Sequence, residues 1–160
     1  MNKAYLLTGG NIGNREKTLG KALTLIHKYC GNISAQSSIY ETAAWGKTDQ
    51  SSFLNQALEL ETDQPPGQLL RQLLKIETEI GRVREEKYGP RIIDIDILFY
   101  NEEILNDPLL KLPHPEIQNR RFVLVPLAEI AAGFIHPVLK KTIAELLAIC
   151  PDNLEVSRIK

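Results

Sequence analysis

The sequence predicts an α+β domain in which two helices cover one face of an antiparallel sheet. Two segments carry apolar residues at helical spacing, and the segments around them are short extended runs that end in glycine or polar residues. In chain order the elements read strand, helix, strand, strand, helix, strand, which is a split β-α-β arrangement. The 160 residues are enough for one compact domain, so we expect a single domain over residues 1–160.

The first half of this pattern opens with a short apolar strand over residues 3–8. Asn14 is placed to cap the first helix and Gly31 to end it. Residues 33–42 alternate between apolar and polar, which predicts a second strand. Residues 46–52 are polar and predict a loop.

The second half repeats the order. Residues 53–62 predict a third strand, and residues 63–67 begin a second helix that has prolines in its first turn and ends at Gly81. Residues 82–90 form a second polar loop, and residues 92–100 form a fourth strand. The remaining C-terminal part is proline-rich and predicts two short helices as additions to this core.

Composition excludes several function classes. The formal net charge of −1 gives no global basic field, so we expect no nucleic-acid partner and no attraction to an anionic membrane. No signal segment or membrane-spanning run is evident, and Cys30 and Cys150 are expected to be reduced thiols, which together predict a cytoplasmic protein. A monomer is expected because no exposed apolar helix face is evident.

The fourth strand carries the strongest chemical signal. Ile93, Ile95 and Ile97 point to one face, and Asp94 and Asp96 therefore share the other, roughly 7 Å apart along the backbone. Aspartate is unfavourable in strands, and two neighbouring carboxylates repel each other unless a cation lies between them. Mg²⁺ is one candidate because it binds one or two carboxylates together with substrate phosphates, and a basic side chain is the other.

Two aspartates at this spacing, taken alone, are more typical of solvated residues on an exposed edge strand than of a metal site. The preceding loop favours the functional interpretation because Arg82, Arg84 and Arg91 lie close by in sequence. Guanidinium groups bind phosphate oxygens in bidentate fashion. An arginine-rich loop that leads into a carboxylate pair therefore predicts Mg²⁺-dependent phosphoryl transfer.

Two further groups could bind ligands. Trp45, Phe53 and Asn55 would suit a flat heteroaromatic ring, with aromatic faces for stacking and a carboxamide for its edge, but they could equally be core aromatics beside a strand-end residue. His114 lies between two prolines with Arg120 nearby, and it could bind phosphate or be a structural turn residue.

The chain resembles the 6-hydroxymethyl-7,8-dihydropterin pyrophosphokinase family. The resemblance is carried by KYGPRIIDIDIL at residues 87–98 and runs in order over about residues 4–130. Further matching residues are Gly9, Asn11, Tyr40, Thr42, Gly46, Gln50, Phe53, Leu54, Asn55, Glu77, Gly81, Arg82, Val83, Arg84, Pro113, His114, Asn119, Arg120 and Phe122.

This resemblance implies a ferredoxin-like α+β sandwich and the transfer of pyrophosphate from ATP to 6-hydroxymethyl-7,8-dihydropterin, which releases AMP. It implies that Asp94 and Asp96 hold two Mg²⁺ ions, that Arg82 and Arg91 contact the phosphates during transfer, and that the loops at 46–52 and 82–90 close over the site. The implied ATP-site residues are Glu77, Arg84, Tyr88, His114 and Arg120. The implied pterin-pocket residues are Thr42, Ala43, Trp45, Phe53, Asn55 and Phe122.

Two alternatives share the predicted fold. One is a non-catalytic ferredoxin-like binding module, which would leave the paired aspartates unexplained. The other is a different Mg²⁺-dependent phosphotransferase, which would use the same carboxylates but release pyrophosphate or ADP.

Overall fold

The structure, a computed structural model, describes residues 1–43, 51–82 and 90–159. The strands in these ranges are β1 (Asn2–Gly10), β2 (Asn32–Gln36), β3 (Tyr40–Thr42), β4 (Phe53–Thr62), β5 (Asp94–Tyr100), β6 (Leu105–Asn106), β7 (Lys111–Leu112) and β8 (Val156–Arg158). The α-helices are α1 (Arg15–Tyr29), α2 (Pro66–Ile80), α3 (Arg121–Ala131) and α4 (Ile143–Ala148), and a 3₁₀ turn spans Ile117–Asn119.

The main sheet is antiparallel and has the order β5-β1-β4-β3-β8, and β2 also pairs with β4. The β1, β4 and β5 strands form its centre, and β6 and β7 make a separate two-stranded sheet. A split β-α-β core requires this pairing. Its first and third strands, β1 and β4, lie side by side, and its fourth strand, β5, lies on the other side of β1. The predicted α+β fold class is therefore confirmed.

Helices pack on both faces of the sheet. The α1 and α2 helices cover one face, and α3 and α4 cover the other. The α1/α2 core includes Leu6, Leu19, Ile26, Leu58, Leu73 and Ile95. The α3/α4 core includes Tyr5, Leu7, Ala57, Phe99, Leu124 and Leu127. The C-terminal helical additions predicted from the sequence thus form a complete second helical layer.

The two long helices begin and end close to the predicted residues. The Asn14 side chain caps α1 by accepting a hydrogen bond from the Lys17 backbone N–H at 3.1 Å. The α2 helix ends at Gly81, which has a φ of 120° and donates its N–H to the Glu77 carbonyl. A residue with a Cβ is strained in that conformation. This reversal returns the next residue, Arg82, toward the sheet.

The prediction of one continuous strand over residues 33–42 is wrong, because the chain forms β2 and β3 with a break between them. From Gln36 to Tyr40 the chain advances four residues while the paired β4 strand advances three. At the break the Ser37 hydroxyl oxygen accepts from the Ala57 N–H at 2.9 Å, in place of a backbone acceptor. The extra residue forms a β-bulge, which changes the direction of the chain before β3.

Three smaller features differ from the sequence prediction or add to it. The β5 strand begins at Asp94, two residues after the predicted start. The β6, β7 and β8 strands were not predicted, and each is only two or three residues long. No helix in the described part of the chain has the length and apolar character needed to cross a membrane.

Candidate active site

The candidate site lies on the α3/α4 face of the sheet, near one end of three neighbouring strands. The register places Gly9 of β1 opposite Asn55 of β4 on one side and opposite Asp94 of β5 on the other. Two residues along β1, Leu7 lies opposite Asp96. Because strand side chains alternate, both aspartates and Asn55 project from the same face.

A glycine at position 9 leaves room for the Asn55 side chain. A Cβ at Gly9 would collide with the Asn55 carboxamide. The Asn55 amide nitrogen donates to the Thr8 carbonyl at 3.3 Å, and its buried Oδ1 has no hydrogen-bond partner among the described residues. An unpaired buried acceptor is unfavourable unless a ligand donates to it. The Asn55 carboxamide is therefore suited to bind a polar ligand edge.

Aromatic rings and the carboxylates line one cavity of about 90 Å³. Its lining residues are Leu7, Gly9, Thr42, Ala43, Phe53, Asn55, Arg91, Asp94, Asp96, Arg120 and Phe122. The Arg91 guanidinium lies 5.6 Å from the centre of the Phe53 ring, and the Arg120 guanidinium lies 5.8 Å from that of Phe122. An apolar slot and a charged end therefore belong to the same cavity.

Asp94 is held by two arginines. Its Oδ1 lies 2.5 Å from an Arg82 guanidinium nitrogen, and its Oδ2 lies 3.1 Å from one of Arg91. Arg82 also pairs with Glu77 at 3.2 Å, and the other Glu77 oxygen accepts the Ile95 N–H at 2.7 Å. Glu77 is 2% exposed, so this carboxylate fixes both the arginine and the start of β5 from inside the protein.

Asp96 has a different environment. Its pKa is raised to about 8, first by burial and then by the negative charges of Asp94 and Glu77, although Arg120 and Arg82 act in the opposite direction. The side chain is half-buried in the cavity wall. Its ionised form is therefore poorly stabilised by the protein alone, and a bound cation would stabilise it.

The donor atoms suit Mg²⁺. Two carboxylates line the same cavity, and no group of three or more His, Cys, Asp or Glu side chains that could hold a metal occurs within residues 1–43, 51–82 and 90–159. Mg²⁺ prefers oxygen ligands and takes its remaining ligands from water and phosphate oxygens. The pair therefore fits an ion that is bound jointly by the protein and a phosphorylated substrate.

His114 is a neutral donor close to this charged end. Its backbone N–H donates to the Leu98 carbonyl at 3.0 Å, which ties it to β5. Burial lowers the pKa of His114 to about 4, with a further contribution from the Arg120 charge. Its Nδ1 accepts the Glu116 N–H at 3.2 Å, so the neutral ring carries its proton on Nε2 and can donate it to a phosphate oxygen.

The structure brings most of the predicted site residues together. Five of the predicted pterin residues, Thr42, Ala43, Phe53, Asn55 and Phe122, line the cavity with the carboxylate pair, Arg91 and Arg120. The remaining predicted pterin residue, Trp45, lies outside the described residues, as do the predicted ATP residues Arg84 and Tyr88 and most of the two predicted closing loops.

Sequence reasoning did not assign Leu7 and Gly9 to the site, although both line the cavity. They lie two apart on β1, as Asp94 and Asp96 do on β5. The same alternation argument would have identified them once the pairing of β1 with β5 was known. Glu77 was predicted to lie at the ATP site. Its buried carboxylate accepts hydrogen bonds from the Arg82 guanidinium and from the Ile95 backbone N–H, and so positions residues of the site.

Sequence comparisons identify similar proteins. The family model described as 7,8-dihydro-6-hydroxymethylpterin-pyrophosphokinase matches residues 5–132. A 2-amino-4-hydroxy-6-hydroxymethyldihydropteridine pyrophosphokinase from Aquifex aeolicus is 41% identical over 153 residues, which cover 96% of this chain and 93% of the relative. A protein of the same name from Bacillus subtilis is 46% identical over 130 residues, which cover 81% of this chain and 78% of the relative.

Structure comparison supports the fold. The chain aligns with Plasmodium falciparum HPPK-DHPS wild type with SDX-DHP at a TM-score of 0.74 and 22% sequence identity. The alignment covers 92% of this chain and 43% of that longer chain. At this identity the likeness concerns the fold alone.

Proposed function

Because the chain belongs to the 7,8-dihydro-6-hydroxymethylpterin-pyrophosphokinase family, we propose that its catalytic site is the cavity between β1, β4, β5 and the start of α3. The enzyme transfers pyrophosphate from ATP to 6-hydroxymethyl-7,8-dihydropterin in folate biosynthesis, and AMP is the second product. The observation that carries the proposal is the continuity of this cavity, since an aromatic slot with the Asn55 carboxamide leads directly to Asp94 and Asp96.

The apolar end of the cavity suits the pterin. Phe53 and Phe122 offer ring faces on which a flat heterocycle can stack. The Oδ1 of Asn55, which has no hydrogen-bond partner within residues 1–43, 51–82 and 90–159, can accept a hydrogen bond from a ring N–H or an amino group of the pterin. Thr42 and Ala43 complete the wall at the end of β3. These contacts would orient the hydroxymethyl group toward the charged end.

The charged end suits ATP phosphates and Mg²⁺. Asp94 and Asp96 would hold two Mg²⁺ ions, which when bound neutralise phosphate charge and lower the pKa of the attacking hydroxyl. Arg82 and Arg91 neutralise Asp94 in the described structure. They would exchange this carboxylate for phosphate oxygens when ATP and metal arrive, because guanidinium groups bind phosphate well. Arg120 and the neutral His114 would contact the nucleotide.

The reaction is then an in-line displacement. The hydroxymethyl oxygen of the pterin attacks the β-phosphorus of ATP and loses its proton to solvent water, the bond from that phosphorus to the α–β bridging oxygen breaks, and AMP leaves with that oxygen. Positioning and charge stabilisation supply most of the catalysis in such transfers. The arginines would stabilise the charge that develops on the phosphoryl oxygens.

Product analysis tests the proposal. The protein is mixed with ATP, Mg²⁺ and 6-hydroxymethyl-7,8-dihydropterin, and the nucleotide product is identified. We expect AMP and a diphosphorylated pterin, whereas ADP as the product would contradict the assignment. Asp94→Ala should lower kcat/KM by about 10²-fold or more, because metal ligands supply several kcal/mol of transition-state stabilisation.

A matched variant controls for loss of charge. Asp63 is exposed in the turn after β4, at the end of that strand remote from Phe53. Asp63→Ala should leave activity unchanged. Equal activity of Asp94→Ala and wild type would refute the metal role.

The monomeric state and cytoplasmic location expected from the sequence are further proposals. Size-exclusion chromatography with light scattering tests the monomeric state.

A further inference from the structure

We propose that residues 152–158, hereafter the C-terminal brace, position the two walls of the pterin pocket relative to each other. The inference rests on the proposed assignment of this cavity to the pterin. The brace lies outside the cavity, and none of its residues lines it. It acts through hydrogen bonds to the elements that do.

The first attachment is to the start of α3. One carboxylate oxygen of Asp152 accepts the backbone N–H of Arg121 at 3.0 Å, and the other accepts the N–H of Leu154 at 3.0 Å. Arg121 is the first residue of α3, and the N-cap residue Arg120 has no side-chain oxygen that could cap the helix. Asp152 therefore supplies an acceptor and a negative charge where helix N-termini favour both.

This attachment bears on the pocket because Arg120 and Phe122 flank the capped residue and both line the cavity. If the Arg121 N–H lost its acceptor, the first turn of α3 would be free to shift or fray. Phe122 would then no longer be held at a fixed distance from the sheet.

The second attachment is to β3. The β8 strand pairs antiparallel with β3, so that Val156 lies opposite Thr42. The Thr42 hydroxyl, which is buried, donates to the Glu155 carbonyl at 2.9 Å. Thr42 and Ala43 form the pocket wall at the end of β3, and the brace therefore fixes the side chain of one and the backbone next to the other.

The brace is extended between these two points. Its side chains alternate between half-buried and exposed, as in a strand. The half-buried residues are Asp152, Leu154 and Val156, and the exposed residues are Asn153, Glu155, Ser157 and Arg158.

A second link between β3 and α3 lies further from the pocket. The Tyr40 hydroxyl donates to Glu129 at 2.6 Å, and the Ser38 N–H donates to the same carboxylate. That link holds the beginning of β3 to the later part of α3. The brace holds the opposite ends of both elements, where Thr42 and Phe122 face the cavity. Its loss should therefore change the width of the slot more than the packing of the core.

Two substitutions detach the brace at different points. Asp152→Ala removes the acceptor for Arg121. Ser157→Pro removes a hydrogen bond between β8 and β3. The Ile159 N–H donates to the Ile39 carbonyl at 2.9 Å, and hydrogen-bonded pairs recur every second residue in an antiparallel ladder. Ser157 and Glu41 are therefore the next hydrogen-bonded pair, and proline at 157 has no N–H to donate. Each should raise the KM for the pterin by about three- to tenfold, as expected for one lost hydrogen bond.

For Ser157→Pro the KM for ATP and kcat should each stay within about twofold, because β3 supplies Thr42 and Ala43 to the pterin wall and no residue to the charged end. Asp152→Ala also loosens the backbone next to Arg120, so its KM for ATP should rise as well, by less than its KM for the pterin. Direct titration of 6-hydroxymethyl-7,8-dihydropterin by calorimetry should show the same loss of affinity. Asp152→Asn keeps one carbonyl acceptor and should give an intermediate KM.

Two control variants separate positioning from general stability. Ser157→Ala keeps the backbone N–H and should leave the pterin KM unchanged. Thr142→Ala removes the hydroxyl that caps α4 through the Glu145 N–H at 3.1 Å, and should lower Tm without changing the pterin KM. Wild type that makes no AMP would contradict the proposed function itself, independently of these variants.

Two outcomes would overturn the inference. In the first, Asp152→Ala and Ser157→Pro lower Tm as Thr142→Ala does but leave the pterin KM at the wild-type value, which would show that the brace is only structural. In the second, Ser157→Pro raises the KM values for ATP and pterin by the same factor, which would show a general distortion of the site.

Discussion

Asp94 and Asp96 lie side by side on one strand but are stabilised very differently. Asp94 has two guanidinium partners, whereas the pKa of Asp96 is raised to about 8 by burial and by neighbouring negative charges. The protein therefore compensates one carboxylate itself and leaves the other to be compensated by a cation. Such local instability is typical of functional sites, where binding residues are not optimised for folding.

Asp96→Asn should therefore have opposite effects on stability and on activity. In EDTA the variant should melt higher than wild type, because a neutral carboxamide avoids the charge repulsion. The raised pKa means that wild type loses stability as pH rises from about 4 toward 8, so the difference in Tm should be larger at pH 9 than at pH 6. Each kcal/mol corresponds to about 2–4 °C at this size.

Activity of the same variant should fall by about 10²-fold or more, because a carboxamide is a weaker Mg²⁺ ligand. Thermal melts in EDTA and the product assay in Mg²⁺ measure the two effects. A variant that is less stable than wild type in EDTA at pH 9 would contradict the electrostatic account of Asp96.

His114 should make stability sensitive to mild acid. Its pKa is lowered to about 4 in the folded protein, whereas an unfolded histidine titrates near 6.5. The unfolded state therefore binds the proton first, and stability is lost as pH falls from about 6.5 toward 4. His114→Asn keeps an acceptor for the Glu116 N–H but does not titrate.

Between pH 7 and pH 5, wild type should lose about 1–2 kcal/mol more unfolding free energy than His114→Asn. Urea denaturation at both pH values measures this difference. His136, whose pKa is also lowered by burial, is present in both proteins, so its contribution cancels. Parallel losses in the two proteins would show that His114 does not carry the effect.

Which residues could be predicted from sequence depends on the range of the interaction. The alternation of Asp94 and Asp96 is local, and it sufficed to place both on one face. Glu77 binds Arg82 and the Ile95 N–H, and Asp152 binds Arg121, so their roles depend on tertiary contacts that no spacing rule encodes. The resemblance placed Glu77 near ATP without indicating that it supports β5 from the interior.

At the scale of elements, β1 contributes a position where a side chain is excluded. A Cβ at Gly9 would collide with the Asn55 carboxamide and lie 3.2 Å from the Leu54 carbonyl oxygen. Gly9→Ala should therefore displace Asn55, raise the pterin KM by about tenfold and lower stability by about 1–3 kcal/mol. Steady-state kinetics and urea denaturation measure the two effects.

Gly20→Ala is the matched control for an added methyl group. Gly20 lies inside α1 and is exposed. Apart from its chain neighbours and the backbone of α1, no atom of the described residues lies within 4 Å of the position that its Cβ would occupy. The substitution should stabilise the protein by about 0.5–1 kcal/mol, because alanine favours helix over glycine, and should not change KM. If Gly9→Ala kept the wild-type pterin KM, the contact between Gly9 and Asn55 would not shape the pocket.

Secondary-structure elements could be predicted where they are long and where their sequence pattern depends only on residues close together in the chain. The α1 and α2 helices have capping residues and buried stripes, and both were located correctly. The break between β2 and β3 depends on the Ser37 hydroxyl, which accepts the backbone N–H of Ala57 in β4. These two residues are distant in sequence, so local sequence patterns do not indicate the contact. The β8 strand is three residues long and is defined only by its pairing with β3, so its sequence alone gives little indication of it.

At the scale of the whole molecule, the two helical layers share one sheet. Residues of β1 point alternately into both cores, with Leu6 in the α1/α2 core and Leu7 in the α3/α4 core. Neither layer can separate without exposing one face of the same central strands. The site lies at the junction of the sheet with the second layer, so its geometry depends on the integrity of both.

This sharing predicts that the described parts of the chain unfold as one cooperative unit. Leu73 of α2 and Leu124 of α3 are fully buried on opposite faces of the sheet. Leu73→Ala and Leu124→Ala should each lower the unfolding free energy by about 2–5 kcal/mol. If unfolding is global, each substitution should reduce the slowest hydrogen-exchange protection in β1, β4 and the helical layer on the opposite face by the same amount.

Native-state hydrogen exchange followed by mass spectrometry resolves the two layers through their peptides. Protection lost in α3 only for Leu124→Ala, and in α2 only for Leu73→Ala, would show that the layers open independently. Cooperative loss has a functional consequence, because Phe122 and Arg120 lie on the second layer and Asp94 and Asp96 on the sheet. The pterin and phosphate ends of the pocket would then form together and be lost together. A partly unfolded protein would therefore bind neither substrate with native geometry.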